Sequence, residues 1–303
     1  MKSFDLIIIG GGVCGMTAAI YAARANLSVG ILEEQVCGGL VNWTNTVENM
    51  PSYKSIHGLD LMEKCRDHVE ALGVTIEEVD KVTAADFSGP VKKLSTAMGE
   101  NYEAKAVIIA TGRRPRPFPV ETDFENIHYC SVCDGTPYKG RDIIVMGGGN
   151  SGFDESLYLI SLGVNAIHIV ETFPSCIAAP ATQDQARATG KIRVSTSTDI
   201  VSVTPLASGR GLVRLRDKES GTEYDEETDG IFCFIGQNPN TTIFKGMLPM
   251  EKGYLVTDED MGTGTPGIFA AGDVRTKKYR QITTAMADGT IAAMEAARYL
   301  RTC

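Results

Sequence analysis

Three short stretches of this 303-residue chain hold side chains whose types and spacing could do chemistry. In Cys130-Ser131-Val132-Cys133-Asp134, two residues separate two thiols and a carboxyl follows. That spacing brings the sulfurs within reach of a small-loop disulfide. A helix beginning there would lower a thiol pKa and favour the thiolate. Asp134 could then give or take the proton as a thiolate leaves or forms. Half a zinc site is another use of such a pair, but no second CxxC or CxxH completes it. A buried structural pair is the remaining one.

The other two stretches are glycine turns. Gly10-Gly11-Gly12-Val13-Cys14-Gly15 and Gly147-Gly148-Gly149-Asn150-Ser151-Gly152 both fit G-x-G-x-x-G. The first Gly (Gly10, Gly147) makes the tight turn. The second (Gly12, Gly149) lets backbone approach a pyrophosphate, and the third (Gly15, Gly152) lets helix and strand pack closely. The helix N-terminus behind favours phosphate charge. An acid closes each unit, Glu33 eighteen residues after Gly15 and Glu171 nineteen after Gly152. Such a carboxylate accepts from ribose hydroxyls. Two fingerprints imply two dinucleotides, most naturally a flavin fed by a nicotinamide.

The elements that must position these motifs surround them. Phe4–Ile9 reads as a strand, Met16–Ala25 as an Ala-rich helix and Ser28–Leu32 as a second strand. Asp142–Met146, Phe153–Leu162 and Ala166–Val170 repeat the unit. A repeated supersecondary unit predicts two similar domains. Ala106–Ala110 reads as a buried strand closed by Thr111-Gly112. Arg113–Pro119 has three prolines in seven residues and is expected to be a linker. Gly236–Asn240 is a second. The tail reads as strand Gly267–Ala270, turn Ala271–Asp273 and helix Gln281–Leu300. Ile282, Met286, Ile291, Met294 and Leu300 are expected to form that helix's apolar stripe. The tail is too small to fold alone and is expected to complete the first domain. The predicted fold is α/β: two Rossmann-like three-layer domains, residues 1–112 with 240–303, and an inserted 113–239. Glu223–Asp229 is expected to be a solvated hairpin or loop.

Composition narrows the function classes. Hydrophobic residues are 43% and charged residues 22%, ordinary for a soluble globular chain. Lys plus Arg is 29 against 38 Asp plus Glu, and no basic run occurs. That balance argues against nucleic acid and against a polybasic membrane anchor. No stretch approaches the ~20 apolar residues that span a bilayer. Phe4–Ile9 is too short for a signal peptide's apolar region, so a cytoplasmic location is expected. Apart from Cys130 and Cys133, the cysteines are scattered and are expected to be reduced and buried; Cys303 reads as incidental. The four histidines form no ligand spacing, and no metal is expected.

The motifs taken together carry a resemblance. Almost the whole chain resembles the low-molecular-weight, bacterial-type flavoprotein thioredoxin reductases. Their core is shared with the reductase subunit of alkyl hydroperoxide reductase. The matching pieces are Gly10–Gly15, Gly38-Gly39, Val47–Pro51, Ala110–Gly112, Cys130–Asp134, Gly147–Gly152, Gly236–Asn240, Gly267–Val274 and Arg280-Gln281, in the family's order. The resemblance implies FAD, with Gly10, Gly12, Gly15 and Glu33 on its ADP half. Gly39, Thr111, Gly112 and Gly272 would line it, with Asn49 near the flavin and Asp273 on the ribityl-pyrophosphate. Arg280, Gln281 and Ile282 would border the isoalloxazine. Gly147, Gly149, Asn150, Ser151, Gly152 and Glu171 would hold the nicotinamide dinucleotide. Cys133 would face the flavin, Cys130 would attack a thioredoxin-like protein, and Asp134 would be the acid–base. A homodimer, and rotation of the inserted domain about linkers near Thr111–Arg116 and Gly236–Asn240, are implied likewise.

The chain departs from that pattern at the donor site. NADPH-using members follow the second Rossmann strand with His-Arg-Arg-x-x-x-Arg, whose arginines clamp the 2′-phosphate. Here the positions read Glu171-Thr172-Phe173-Pro174-Ser175-Cys176-Ile177. A carboxylate accepts from a 2′-hydroxyl and repels a 2′-phosphate. NADH is therefore expected over NADPH. The alternatives are the same disulfide reductase fed by ferredoxin or another non-nicotinamide donor, and a flavin-dependent dithiol oxidase. Leu40 and Trp43 also depart from the family's residues; core packing is expected of both.

Overall fold

The structure is a computed structural model and describes residues 1–302; Cys303 lies outside the described residues. The chain divides into two compact units, Met1–Arg114 with the segment from Asn238 on, and Pro115–Gln237.

The first unit is built on β1 (Lys2–Ile9), whose Leu6, Ile7, Ile8 and Ile9 are all buried. A parallel strand covered on both faces reads as a continuous apolar run, which is why alternation is absent here. β1 pairs in parallel with β2 (Val29–Leu32), and α1 (Val13–Arg24) connects them. The sheet continues past β2 to β3 (Thr75–Glu77), reached through α2 (Gly58–Ala71). Beyond β1 stands β6 (Asn101–Ile109), preceded by the antiparallel β4 (Val82–Asp86) and β5 (Lys92–Thr96).

The second unit repeats the plan. β7 (Arg113–Pro115) leads in, and β8 (Ile127–His128) is followed by the one-turn helix α3 (Ser131–Asp134). β9 (Asp142–Met146), α4 (Asn150–Ser161) and β10 (Ala166–Val170) form the second strand–turn–helix–strand unit. After α5 (Pro180–Ala188), β11 (Ile192–Ser195) joins the parallel sheet. An antiparallel sheet of β12 (Thr198–Pro205), β13 (Gly211–Asp217) and β14 (Glu223–Thr228) follows. β15 (Gly230–Cys233) returns between β9 and β8. β16 (Gln237–Pro239) leads out and pairs with β7. The acidic run is thus mostly strand β14. Its charges are answered individually: Asp225 by Arg214 at 2.8 Å, Glu226 by Arg193 at 2.5 Å and Asp229 by Arg141 at 3.1 Å.

Back in the first unit, β17 (Met250–Glu251) and β18 (Tyr254–Leu255) form a small hairpin, and β19 (Ile268–Ala270) pairs in parallel with β6. The final helix, α6 (Ile282–Leu300), corrects one expectation. Met294 is 60% exposed and belongs to no apolar stripe. The buried face is Ala285, Gly289, Ala292, Ala293, Ala296 and Ala297, packed with α1. The helices approach so closely that a Cβ on Gly289 would lie 2.4 Å from the Cys14 carbonyl oxygen. Large side chains are therefore pushed to the rim of this contact, where Ile282, Met286, Ile291 and Leu300 are part-buried. Gly289→Ala must move one backbone against the other and should cost roughly 1–3 kcal/mol. A lower melting temperature, with flavin released at the same transition, is the expected readout. No described helix is long and apolar enough to cross a membrane.

Candidate active site

Both glycine turns have the division of labour that their spacing predicts. Gly10 has φ of +106° and Gly147 of +116°, and a Cβ at either would sit about 2.4–2.5 Å from a carbonyl oxygen of the neighbouring strand end. Gly15 and Gly152 each pack against the carbonyl of the first glycine, where a Cβ would lie at 1.9 Å. The middle glycines differ. A Cβ on Gly12 would meet nothing within 4 Å, and one on Gly149 only Ile177 Cγ1 at 4.0 Å. Each middle glycine also N-caps a 12-residue helix with no side-chain cap, so the helix-end N–H groups are not taken by a side chain of the cap. Open space before an uncapped helix end fits a phosphate.

The two acids are held alike. Gly11 N–H donates to Glu33 Oε2 at 2.6 Å, and Gln35 N–H to Oε1 at 2.8 Å. Gly148 N–H donates to Glu171 Oε2 at 2.6 Å, and Phe173 N–H to Oε1 at 3.0 Å. Burial pushes the Glu33 carboxyl up, and the two N–H donors oppose the shift. The likeness extends to residues that carried no motif. Cys37 Sγ crowds Gly11 as Cys176 Sγ crowds Gly148, and the next residue's N–H donates to the glycine carbonyl, Gly38 at 2.8 Å and Ile177 at 3.1 Å. Burial and nearby Glu78 push the Cys37 thiol up to about 12, leaving it inert. Asn150 Oδ1 accepts from Ala179 N–H at 2.8 Å, which ties the loop after Glu171 to the second turn, whereas Ser151 is exposed.

The remaining candidates of the first unit converge. Asn49 Nδ2 donates to Gln281 Oε1 at 3.3 Å across 232 residues of chain. Gln281 forms a capping box with Thr284, and Ile282 begins α6. The Arg280 guanidinium lies 4.3 Å over the Tyr254 ring. Asp273 Oδ2 accepts from Arg113 Nη2 at 2.9 Å, while Asp273 Oδ1, Arg113 Nε and Arg280 Nε are buried without partners. Gly272 N–H donates to Asp288, which also takes Lys277 at 2.8 Å. Thr111 and Gly112 are joined to Asn240, Thr111 Oγ1 to the Asn240 carbonyl at 2.7 Å. Gly39, with φ of +60°, starts the 3-10 turn that holds the half-buried Leu40 and Trp43. Orphaned polar atoms beside an open phosphate cradle fit a flavin dinucleotide, whose ribityl hydroxyls would complete them. Arg113, Asp288 and Lys277 had no motif to announce them.

Cys130 and Cys133 are joined as a disulfide. Cys130, 6% exposed, caps α3: its Sγ accepts from Cys133 N–H at 3.1 Å. Cys133 is exposed. Asp134 Oδ2 lies 3.5 Å from His128 Nδ1, and His128 Nε2 meets the Tyr138 hydroxyl at 2.6 Å. Burial lowers the His128 pKa, with Asp134 pulling it back up, and raises that of Tyr138 to about 12. A neutral ring whose Nε2 accepts a hydrogen bond from the Tyr138 hydroxyl and whose Nδ1–H faces Asp134 satisfies all three. The sequence named Asp134 alone; β8 and the turn after α3 bring the other two to it.

Comparison with known proteins agrees with this geometry. The family described as pyridine nucleotide-disulphide oxidoreductase matches residues 4–289. A "34.2 kDa protein in rubredoxin operon" of Clostridium pasteurianum is 38% identical, covering 99% of this chain and 98% of that one. The thioredoxin reductase of Listeria monocytogenes is also 38% identical, over 99% of this chain and 94% of its own. Among solved structures, Lactococcus lactis thioredoxin reductase in its FR conformation superimposes with a TM-score of 0.92 at 34% identity, covering 99% of this chain and 100% of that one. T. acidophilum thioredoxin reductase gives 0.90 at 31% identity, covering 98% of this chain and 99% of that one. The chain belongs to the pyridine nucleotide-disulphide oxidoreductases, on their thioredoxin reductase branch.

Proposed function

We propose that this chain is an FAD-dependent disulfide reductase that takes electrons from NADH and passes them through Cys130 and Cys133 to a thioredoxin-like protein. The donor assignment rests on one observation: the Glu171 carboxylate is fixed by two backbone N–H groups at the end of β10, as Glu33 is at the end of β2. Fixed there, it accepts from a free 2′-hydroxyl and repels a 2′-phosphate. Lys218 donates to the Thr172 carbonyl at 3.1 Å and lies 4.0 Å from Asp199, so its charge is answered there.

Bound FAD supplies the two-electron relay between nicotinamide and disulfide. The side chains do the rest. Asp273, Arg113 and Arg280 offer the ribityl chain and ring edge their unpaired atoms. Cys130, stabilised as a thiolate by the Cys133 N–H, attacks the partner's disulfide. Cys133, the sulfur that would face the flavin, then resolves the mixed disulfide. Asp134, oriented by His128, supplies the leaving sulfur's proton.

Anaerobic mixing with NADH, then NADPH, while following flavin absorbance, tests the donor. Bleaching by NADH on the order of a hundredfold faster is expected; equal or faster bleaching by NADPH removes the assignment. A second reading, supply by a small iron protein, is favoured by the operon named for the clostridial relative. It predicts that neither nucleotide bleaches the flavin and that reduced ferredoxin or rubredoxin does.

A further inference from the structure

One buried carboxylate beside the flavin candidates takes no part in the electron path. Asp288, on the second turn of α6, is 7% exposed. Its Oδ2 accepts from three donors of one short segment: Gly272 N–H at 3.1 Å, Lys277 Nζ at 2.8 Å and Arg275 Nη1 at 3.4 Å. The segment Gly272–Lys277 is thus folded around a single oxygen. Its far side is pinned as well, Arg275 Nε to Thr257 Oγ1 at 2.7 Å and Thr276 N–H to the Leu255 carbonyl at 2.8 Å. The segment opens with the 3-10 turn Gly272–Val274, which carries Asp273.

This hub lies against the first phosphate cradle. A Cβ on Gly272, at φ of +77°, would be 3.0 Å from Cys14 Cβ and Sγ, and Gly289, next to Asp288, meets the Cys14 carbonyl. Cys14 is in the first turn of α1, directly behind the open space at Gly12. Burial pushes its thiol up; Asp288 and Asp273 add to the rise, and Lys277 and Arg275 oppose it. All four charges therefore reach the helix end where the cradle stands. A buried ion pair gains little over apolar groups of the same volume, so stability does not account for this one. What it fixes is the turn bearing Asp273, whose Oδ1 is buried without a partner.

We propose that Asp288 is a positioning residue for FAD: by gathering Gly272, Arg275 and Lys277 on one oxygen, it holds the turn in the shape that points Asp273 at the ribityl-pyrophosphate. This rests on Asp273 as a flavin residue, and on neither the electron donor nor the order of the two sulfurs. Preorganising a binding group removes its ordering cost from the binding step. Charge alone predicts the opposite sign. Without Asp288, Lys277 and Arg275 would be released beside a helix N-terminus to attract the pyrophosphate, and FAD would bind more tightly.

Stripping the full chain of flavin and titrating it with FAD, with free FAD measured after ultrafiltration, tests this. Asp288→Asn keeps an acceptor for Gly272 N–H but lets go of Lys277 and Arg275, and should bind FAD roughly ten- to thirtyfold more weakly than the parent. Asp273→Asn should weaken FAD by at least as much. The double variant should then bind within about threefold of Asp273→Asn alone, because the turn has no carboxylate left to place. That non-additivity separates positioning from packing, whose loss would multiply with the other. Affinity in Asp288→Asn equal to or above the parent's, or losses that multiply, overturn the proposal. If Asp288→Asn does not fold, Asp288→Glu takes its place. One extra methylene displaces the hub oxygen, so a loss of about three- to tenfold is expected, and an unchanged affinity or a multiplying loss overturns the proposal in the same way. Failure of the underlying reading looks different: Asp273→Asn alone would then hold FAD as tightly as the parent does, and the proposal would fall with it.

Discussion

Serine at Cys130 should leave a yellow, folded protein that is still reduced by its nucleotide, yet turns over no disulfide. Steady-state reduction of a thioredoxin-like protein should fall on the order of a thousandfold or more, because nucleophile and resolving sulfur act as a unit. Cys133→Ser should fall equally far. The two variants part at the mixed disulfide. The resemblance makes Cys130 the sulfur that attacks the partner, and its Sγ accepts from the Cys133 N–H at 3.1 Å, which favours the thiolate. Offered a thioredoxin-like protein whose thiol carries a thionitrobenzoate, Cys133→Ser should displace the coloured aromatic thiolate and become covalently joined to it. Cys130→Ser should do so at least about tenfold more slowly, since its remaining sulfur is the one turned to the flavin. Trapping by Cys130→Ser alone would reverse the order of the two sulfurs.

What the sequence conveyed about this site divides by range. The α/β class and the two repeated units were legible because each motif is local: strand, turn, helix and acid fall within some thirty residues, and each glycine's duty follows from its place in the turn. Contacts set by the folded path of the chain, and not by spacing within a motif, were not legible. Arg113 sits in a proline-rich stretch that reads only as linker, yet it reaches Asp273 across 160 residues. His128 and Tyr138 look like ordinary core residues until β8 and the turn after α3 bring them to Asp134. The stripe on α6 was misread for a packing reason. Hydropathy weights large side chains, while a contact as close as Gly289 against the Cys14 carbonyl selects small ones. The order of the two cysteines came from resemblance, and spacing alone says nothing about which sulfur is covered.

The second large effect is expected at the donor site. Glu171→Gln keeps an acceptor oxygen but removes the charge, so NADH use should fall about three- to tenfold and NADPH use should rise by a similar factor. Installing the phosphate clamp as Glu171→His, Thr172→Arg, Phe173→Arg and Ile177→Arg should invert the preference. Phe173 and Ile177 are 67% and 85% exposed, so arginines there displace no core. Thr172 is less free, because its hydroxyl bonds Asp199 and its carbonyl takes Lys218. Replacing it releases Asp199 to compete for the new guanidinium, so most of the gain should come from the other two arginines. At roughly 1.5–3 kcal/mol per charge-assisted contact, two effective contacts give on the order of 10²–10⁴ in favour of NADPH. The cost falls on the loop. Losing the Glu171 carboxylate leaves the Gly148 and Phe173 N–H groups without their acceptor, so the dinucleotide should bind a less ordered turn. KM for both nucleotides should therefore rise in the quadruple variant even as kcat/KM for NADPH overtakes that for NADH. A variant that gains NADPH activity without losing NADH activity would show that Glu171 does not read the ribose, and the donor assignment would fall with it.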